Sequence, residues 1–380
     1  MLLEMRDALT AKSPGEAIKE LLSRKGLTQV DLAIITGLSR QSINYIITGR
    51  TSITAEIAMM LATAFDNNPS EWLELENQYR LSLVQGERMA DLENVERRTF
   101  VMQIAPIRDM QRRDWIKDTK DFDEIERELK RFFQTNDLCA SMDIPVAFHK
   151  SARIPSDDKA VRAWLYRAIQ IAKAMHVEKF DSKKLEKAEK ELKRVAAFAK
   201  ETYRVPQILA KYGIRFIVIE HLPHTKVDGA AFWLNENSPV IVVSIRFDRI
   251  DSFWFTLMHE VEHIKNRDAI SIDNDIEETA KLDVGIDEIE RRANEGAAAS
   301  LIEPAELESF IRRVSPLYSR EKIVQFAHRI KIHPGIIIGQ LQHRKEIGFN
   351  THRQLLAKVR DTALETALTD GWGKTLPLAI

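Results

Sequence analysis

Apolar side chains recur three and four positions apart along most of this 380-residue chain, the spacing of helix faces turned to a core. The first helix opens at Pro14-Gly15, buries Ala17, Ile18, Leu21 and Leu22, and ends at Gly26. Thr28 is placed to cap a second, Gln29 to Thr36. A tight turn, Gly37-Leu38-Ser39, leads into a third that Ser39 caps and Gly49 closes. Thr54 caps a fourth running to Phe65, and a fifth carries the pattern to about residue 80. From there to about 205 the pattern stays helical, with Trp164, Leu165, Ala168, Ile169 and Ala172 as its expected core. Charge runs such as 123–131 and 183–194 read as solvated faces, and breaks fall at Pro106, Pro145 and Pro155. The texture then changes: Ile214–Ile219, Gly229–Leu234 and Val240–Ile245 are short β-branched or aromatic runs that predict strands. Helices return with the run beginning at Asp251, again from Asp287, and beyond Pro304. A last amphipathic helix is expected from Thr351 to about Asp370, with a loose tail after Gly371.

The pattern therefore predicts a mainly α chain with a small β-sheet (α+β). Its expected divisions are 1–82, an all-α domain; 83–205, a helical linker or subdomain; 206–345, a domain holding the short strands and the helices after them; and 346–380, a C-terminal helix and tail.

Two helices joined through a short glycine-containing turn form the helix-turn-helix layout, and the second would enter the major groove. With Ile43, Ile46 and Ile47 facing inward, that helix exposes Arg40, Gln41, Ser42, Asn44 and Tyr45, side chains suited to base edges and phosphates. Residues 24–50 carry Arg24, Lys25, Arg40 and Arg50 against Asp31, a local surplus of three positive charges. A lone domain of this kind binds weakly, so a dimer on a palindromic site is expected.

Chemistry concentrates at His259-Glu260-Val-Glu262-His263. Residues four apart share a helix face, so both imidazoles can reach one metal ion, with Glu260 near enough to act on a water there. Zinc suits two neutral imidazoles and one further ligand. Glu288, Glu290 and Glu295 all lie on the next helical run, and spacing alone does not choose among them.

Two resemblances sharpen these readings. His259-Glu-x-x-His263, Glu290-x-x-Ala293-Asn294 and an alanine-rich helix ending in Leu301-Ile302-x-Pro304 resemble the ImmA/IrrE metallopeptidase family. That resemblance covers Gly213 through Pro304 and implies a zincin-like fold. It makes Glu290 the third Zn2+ ligand and Glu260 the catalytic carboxylate. It also implies an edge strand beside the metal cleft where an extended substrate pairs; Val240–Ile245 is the candidate. Two positions depart from the family pattern. Glu262 stands where a small residue is usual; three readings are open, added negative charge near the ion, a partner such as Arg246, Arg249 or Arg291, or a harmless place on a solvent-facing edge. Gly296 stands where a bulky aromatic is usual. His333, His343 and Tyr318 are candidates for stabilising an oxyanion, each with a simpler role in capping or packing, and Phe253, Trp254 and Phe255 read as packing. The N-terminal run resembles the lambda-repressor-like (XRE) domains. Pro14-Gly15-Glu16 and Asn68-Pro-Ser-Glu-Trp72-Leu73 resemble the HigA antitoxin branch in particular. The implied DNA contacts are Gln29 and Arg50 to phosphate, beside Ser39, Arg40, Gln41, Ser42 and Asn44.

Composition changes this picture little. A net charge of −1 excludes a globally basic nucleic-acid binder but not a local basic surface. The single cysteine, Cys139, excludes a disulfide framework and reads as a small buried hydrophobe. No apolar run reaches membrane-spanning length and the start lacks a signal-peptide core, so a cytoplasmic protein is expected. Two functions compete. One is a DNA-binding regulator fused to a zinc endopeptidase that cuts a repressor or other regulatory protein. The other is a HigA-like repressor or antitoxin, with a toxin partner, whose metal domain is structural or sensing.

Overall fold

A computed structural model describes residues 13–87, 89–138, 159–268, 271–274 and 288–372. Cys139, Pro145, Pro155 and Asp287 lie outside them. The chain divides into two compact units, Met1–Thr99 and Phe100–Ile380.

The first unit is helical. Its elements are α1 (Pro14–Lys25), α2 (Gln29–Thr36), α3 (Arg40–Ile47), α4 (Ala55–Phe65) and α5 (Pro69–Glu87), after which α6 (Met89–Ile104) begins. The expected caps are present: the side chains of Thr28, Ser39 and Thr54 each accept a backbone N–H of the following turn. Thr28 and Asp31 close a reciprocal capping box, and the hydrogen bonds from Thr28 hold the Asp31 carboxyl below its ordinary value. One core gathers Ile18, Leu32, Ile43, Ile47, Leu61 and Trp72. Gly15 lets α1 lie directly on α3, because a Cβ there would stand 1.9 Å from the Ile47 carbonyl oxygen.

The second unit is a small sheet between two helical layers. It comprises α7 (Ile107–Arg112), α8 (Phe122–Phe133), α9 (Lys159–Ala174), α10 (Leu185–Val195) and α11 (Val205–Lys211), then β1 (Arg215–Val218), β2 (Val227–Trp233) and β3 (Pro239–Val243). There follow α12 (Ile250–Asn266), β4 (Ser271–Asn274), α13 (Glu288–Leu301), α14 (Pro304–Val314), α15 (Arg320–Ile330), α16 (Pro334–His343) and α17 (Arg360–Leu364). The strand order is β1-β3-β2-β4, with β1 parallel to β3 and the other pairs antiparallel.

Alternate side chains of the sheet enter different cores. Ile217, Ala230, Phe232, Val240 and Val242 pack with Met110, Leu129, Phe132, Trp164 and Ile169. Phe216, Val218, Ala231, Ile241 and Val243 pack with Trp254, Leu257, Val261, Leu301 and Ile337. The five residues expected as core on α9 are all buried, and Trp164 Nε1 donates to the Ile219 carbonyl at 2.9 Å. The stretch read from sequence as a linker or subdomain thus supplies, from Val101 onward, one whole covering layer of the sheet.

Two expectations are corrected. The run 240–245 is no edge: β3 lies between β1 and β2, and all five of its residues are buried, as a strand covered on both faces requires. Among the described residues the strand at the site's edge is β4, whose Asp273 pairs with Gly229. Nor does one amphipathic helix span 351–370. There the chain forms a short 3-10 turn at Arg353–Leu355 and the five-residue α17, because its backbone groups find distant partners. The Val359 and Arg360 amides donate to Asp248, Ala357 accepts from Ile250, and Leu368 accepts from Val218 as a bridge beside β1.

Candidate metal centre and nucleic-acid interface

The centre is built on α12, a helix buried along most of its length. Ile250, Trp254, Leu257, Met258, Val261 and Ile264 anchor it in the core, and His259, Glu260 and His263 are buried with them. From the facing α13, Glu290 reaches the same point. The Nε2 atoms of His259 and His263 are 2.9 Å apart, and Glu290 Oε2 lies 3.2 Å from the first and 3.7 Å from the second. One ligand atom from each residue lies within 4.8 Å of the others. The rival carboxylates stand away from this point: Glu288 is 87% exposed, and both it and Glu295 pair with Arg291, at 3.8 and 2.9 Å.

The chain ends α12 with Arg267 in the left-handed conformation, φ 54°, and turns Asp268 back beneath the helix. Its Oδ2 then lies 3.0 Å from His263 Nδ1. An ionised carboxylate only accepts, so Nδ1 carries the proton and Nε2 presents its lone pair to the centre. Arg292 holds the same carboxylate at 2.6 and 2.9 Å. Burial opposes its charge, but the bonds from His263 and Arg292 outweigh burial and keep Asp268 below the ordinary aspartate range. Sequence reasoning missed Asp268; an acid five residues beyond the second histidine was its signal. With one lone pair fixed this way, two imidazole nitrogens and a carboxylate oxygen converge so closely that protons or a cation must lie between them. Two nitrogens and one oxygen fit zinc.

Glu260 is buried against β2. A Cβ on Gly229 would meet Glu260 Oε1 at 2.4 Å, so only glycine lets the strand come this near. Glu262 takes none of the expected arginine partners. Its Oε1 accepts from Lys265 at 2.9 Å, and Lys265 also pairs with Glu189 at 3.3 Å. Its side chain lies over Gly296, where a Cβ would come within 2.6 Å of its Cδ. Glu262 and Gly296 are thus one packing solution, with the absent side chain of residue 296 making room for the longer one at 262. Arg246 instead forms a two-pronged pair with Asp228 (2.8 and 3.1 Å), and Arg249 pairs with Asp251.

Among the oxyanion candidates, Tyr318 donates to Glu346 at 2.5 Å and His333 caps α16 by accepting the Gly335 N–H at 3.0 Å. Burial pushes the His333 imidazole below its ordinary value, with Asp251 opposing. His343 lines a cavity beside the centre, its ring 6.2 Å from that of Phe255. Phe253 and Trp254 are core, as expected, whereas Phe255 lines this cavity.

In the first unit, α3 exposes Arg40, Gln41 and Asn44, with Ser39 and Arg50 exposed at its two ends. Ser42 and Tyr45 are half-buried: Ser42 shares a 2.8 Å hydroxyl bond with Ser39, and Gln41 Nε2 donates to the Tyr45 hydroxyl at 2.8 Å. The Arg50 guanidinium lies 5.8 Å from the Tyr45 ring centre. Gln29 begins α2, half-buried. A helix-turn-helix family profile matches residues 18–72. The chain is 38% identical over 79 residues to virulence-associated protein A' of Dichelobacter nodosus, covering 68% of that protein and 20% of this chain. Through its N-terminal domain the chain belongs to the helix-turn-helix family. It is also 26% identical over 84 residues to an uncharacterized HTH-type transcriptional regulator, YddM, of Escherichia coli strain K12, covering 87% of that protein and 22% of this chain. The helix-turn-helix domain is a DNA-binding domain of the kind found in transcription regulators. Among the described residues no helix is long and apolar enough to cross a membrane.

Proposed function

We propose that this chain is a DNA-binding transcriptional regulator carrying a zinc-dependent endopeptidase, and that it cuts a repressor or another regulatory protein. The observation that carries the reading is the convergence of His259, His263 and Glu290 beside the buried Glu260. His259, His263 and Glu290 would hold the ion, with Asp268 fixing the tautomer of His263. A bound zinc supplies electrophilic polarisation of a carbonyl and a more acidic water. The chain's own part follows from Glu260. One residue on from His259, its carboxylate takes the proton of the attacking water and returns it to the leaving amine. Burial against the Gly229 backbone keeps that carboxylate in one place. The resemblance to the ImmA/IrrE family supports the same assignment. The DNA-binding domain, acting as a homodimer on a palindromic operator, brings the peptidase to the promoter whose regulator it cuts.

Zinc content and Glu260→Gln test this. Purified protein should hold about one zinc per chain, and Glu290→Ala should lose it. Glu260→Gln should keep zinc and operator binding while new protein termini, mapped in cells expressing each form, disappear. Identical termini from the wild type and Glu260→Gln would leave a HigA-like repressor with a structural metal domain.

A further inference from the structure

Helix α3 arranges its polar side chains before any DNA arrives. The Ser39 and Ser42 hydroxyls are turned to one another, 2.8 Å apart, and Ser39 also accepts the Ser42 N–H at 3.0 Å. Both are engaged in closing the helix start, which leaves Arg40, Gln41 and Asn44 as the exposed polar side chains of α3. Gln41 is held by a neighbour on its own helix: its Nε2 donates to the Tyr45 hydroxyl one turn on, at 2.8 Å. A glutamine amide has one oxygen and two N–H groups. Tyr45 engages one N–H, so the oxygen and the other N–H stay open, and that pair matches N6 and N7 of adenine in the major groove. The bond thus sets the rotation of the amide without covering the edge that reads a base. Tyr45 is itself fixed. It is half-buried, the Arg50 guanidinium lies 5.8 Å from the centre of its ring, and its carbonyl accepts the Arg50 and Thr51 amides at 2.9 and 3.2 Å. From α5, Arg80 braces the same turn: its Nη2 donates to the Gly49 carbonyl at 3.2 Å while its Nε donates to Glu76 at 2.7 Å.

We propose that Tyr45 is a positioning residue for sequence reading: its hydroxyl holds the Gln41 amide ready for one adenine of the DNA site. The role belongs to the helix-turn-helix domain alone and is independent of the metal centre. Ordering a long side chain on binding weakens affinity about two- to tenfold, and a glutamine already held in place avoids that loss. The gain falls on one base pair, because only a sequence with adenine at that point meets the open amide edge. A phosphate contact acts differently, since it strengthens binding to every sequence alike. Tyr45 therefore shapes preference at a single position, a signature that neither a phosphate contact nor a role in stability produces.

The probe is a DNA duplex pool with a randomised centre, from which the full-length protein selects its preferred sequence. Affinities are then measured on that duplex and on duplexes changed at one base pair at a time. Gln41→Ala should abolish the preference for one A·T pair. Tyr45→Phe, which keeps the ring beside Arg50, should weaken the preference at that same pair about two- to tenfold and leave the other pairs as they are. In the double variant, Tyr45→Phe should add nothing to Gln41→Ala, because the hydroxyl acts through the amide. Wild-type preference at every pair in Tyr45→Phe would overturn the proposal. So would an equal loss of affinity for all duplexes, selected or scrambled, or a full further loss in the double variant. A pool from which the wild type selects no sequence would overturn base reading by α3, and the proposal with it. A second readout stands should Tyr45→Phe fail to fold. In the DNA-free wild type carrying 15N-labelled glutamine, with Gln41→Ala identifying the signal, the Gln41 side-chain amide should be as ordered as the helix backbone. An amide that moves as freely as a fully solvated glutamine would overturn the proposal.

Discussion

Removing the Asp268 carboxylate should weaken zinc binding without touching a ligand. The carboxylate accepts a hydrogen bond from His263 Nδ1–H at 3.0 Å and is itself gripped by Arg292 at 2.6 and 2.9 Å, so the imidazole is held in one tautomer and one orientation before any ion arrives. Asp268→Ala removes a charge-assisted hydrogen bond, worth roughly 1.5–3 kcal/mol, and frees the imidazole to rotate. Loss of such a partner costs about 10–100-fold in metal affinity, equivalent to about 1.4–2.8 kcal/mol. Asp268→Asn keeps an acceptor but not the charge and should fall near the tenfold end. Competition against a chromophoric chelator near neutral pH, on the full-length chain, measures both. Zinc held by Asp268→Ala as tightly as by the wild type, with His263→Ala unable to hold it, would refute the orienting role and require another group to fix His263.

Three further outcomes follow from packing and charge. Gly15→Ala drives a methyl group to 1.9 Å from the Ile47 carbonyl oxygen, a backbone atom that cannot step aside. It should destabilise the first unit by about 2–3 kcal/mol, seen as an earlier unfolding transition and weakened operator binding. Burial holds the His333 pKa below its usual 6.5, so the folded state binds a proton less readily than the unfolded one. Stability is then complete above about pH 6.5 and falls as pH drops from there toward the folded pKa; His333→Asn, which still caps α16, should lose less stability between pH 7.5 and 5.5 in denaturant titrations. Asp370→Ala strands the buried Arg113 guanidinium beside it (3.3 Å) and removes the acceptor of Trp115 Nε1 (3.0 Å). It should cost about 3 kcal/mol, read as a lower denaturation midpoint of the second unit.

The sequence displayed its helices plainly because their signals are local. Thr28, Ser39 and Thr54 each cap the turn that follows them, and the caps stand where side-chain chemistry put them. The face shared by His259 and His263 was legible for the same reason, since four residues of helix fix it. What escaped was non-local. Whether 240–245 is an edge depends on which strands flank it, and one of them, β1, pairs with it in parallel from about 25 residues upstream (Arg215 with Val240). Strand β4, Ser271-Ile-Asp-Asn274, has one β-branched apolar residue and owes its conformation to pairing with β2. Glu262 looked like a stray charge beside a metal until Gly296, thirty-odd residues later, supplied the space for it. The segment beyond Thr351 has helical spacing but binds its backbone to loop 245–250 and to β1.

That last segment sets the timetable of biosynthesis. The core of the first unit is complete once Leu75 has been made, so the DNA-binding domain can fold while the rest of the chain is still being translated. The second unit cannot finish so early. Its β1 strand awaits Leu368, and the guanidinium of Arg113, buried from the outset of that domain, awaits Asp370 more than two hundred and fifty residues later. A ribosome that stops anywhere between these points releases a DNA-binding domain with no finished domain behind it. Such a product keeps the helix-turn-helix and lacks the folded second unit, so premature termination in this gene would yield a competitor of the full-length protein for DNA as well as less of it.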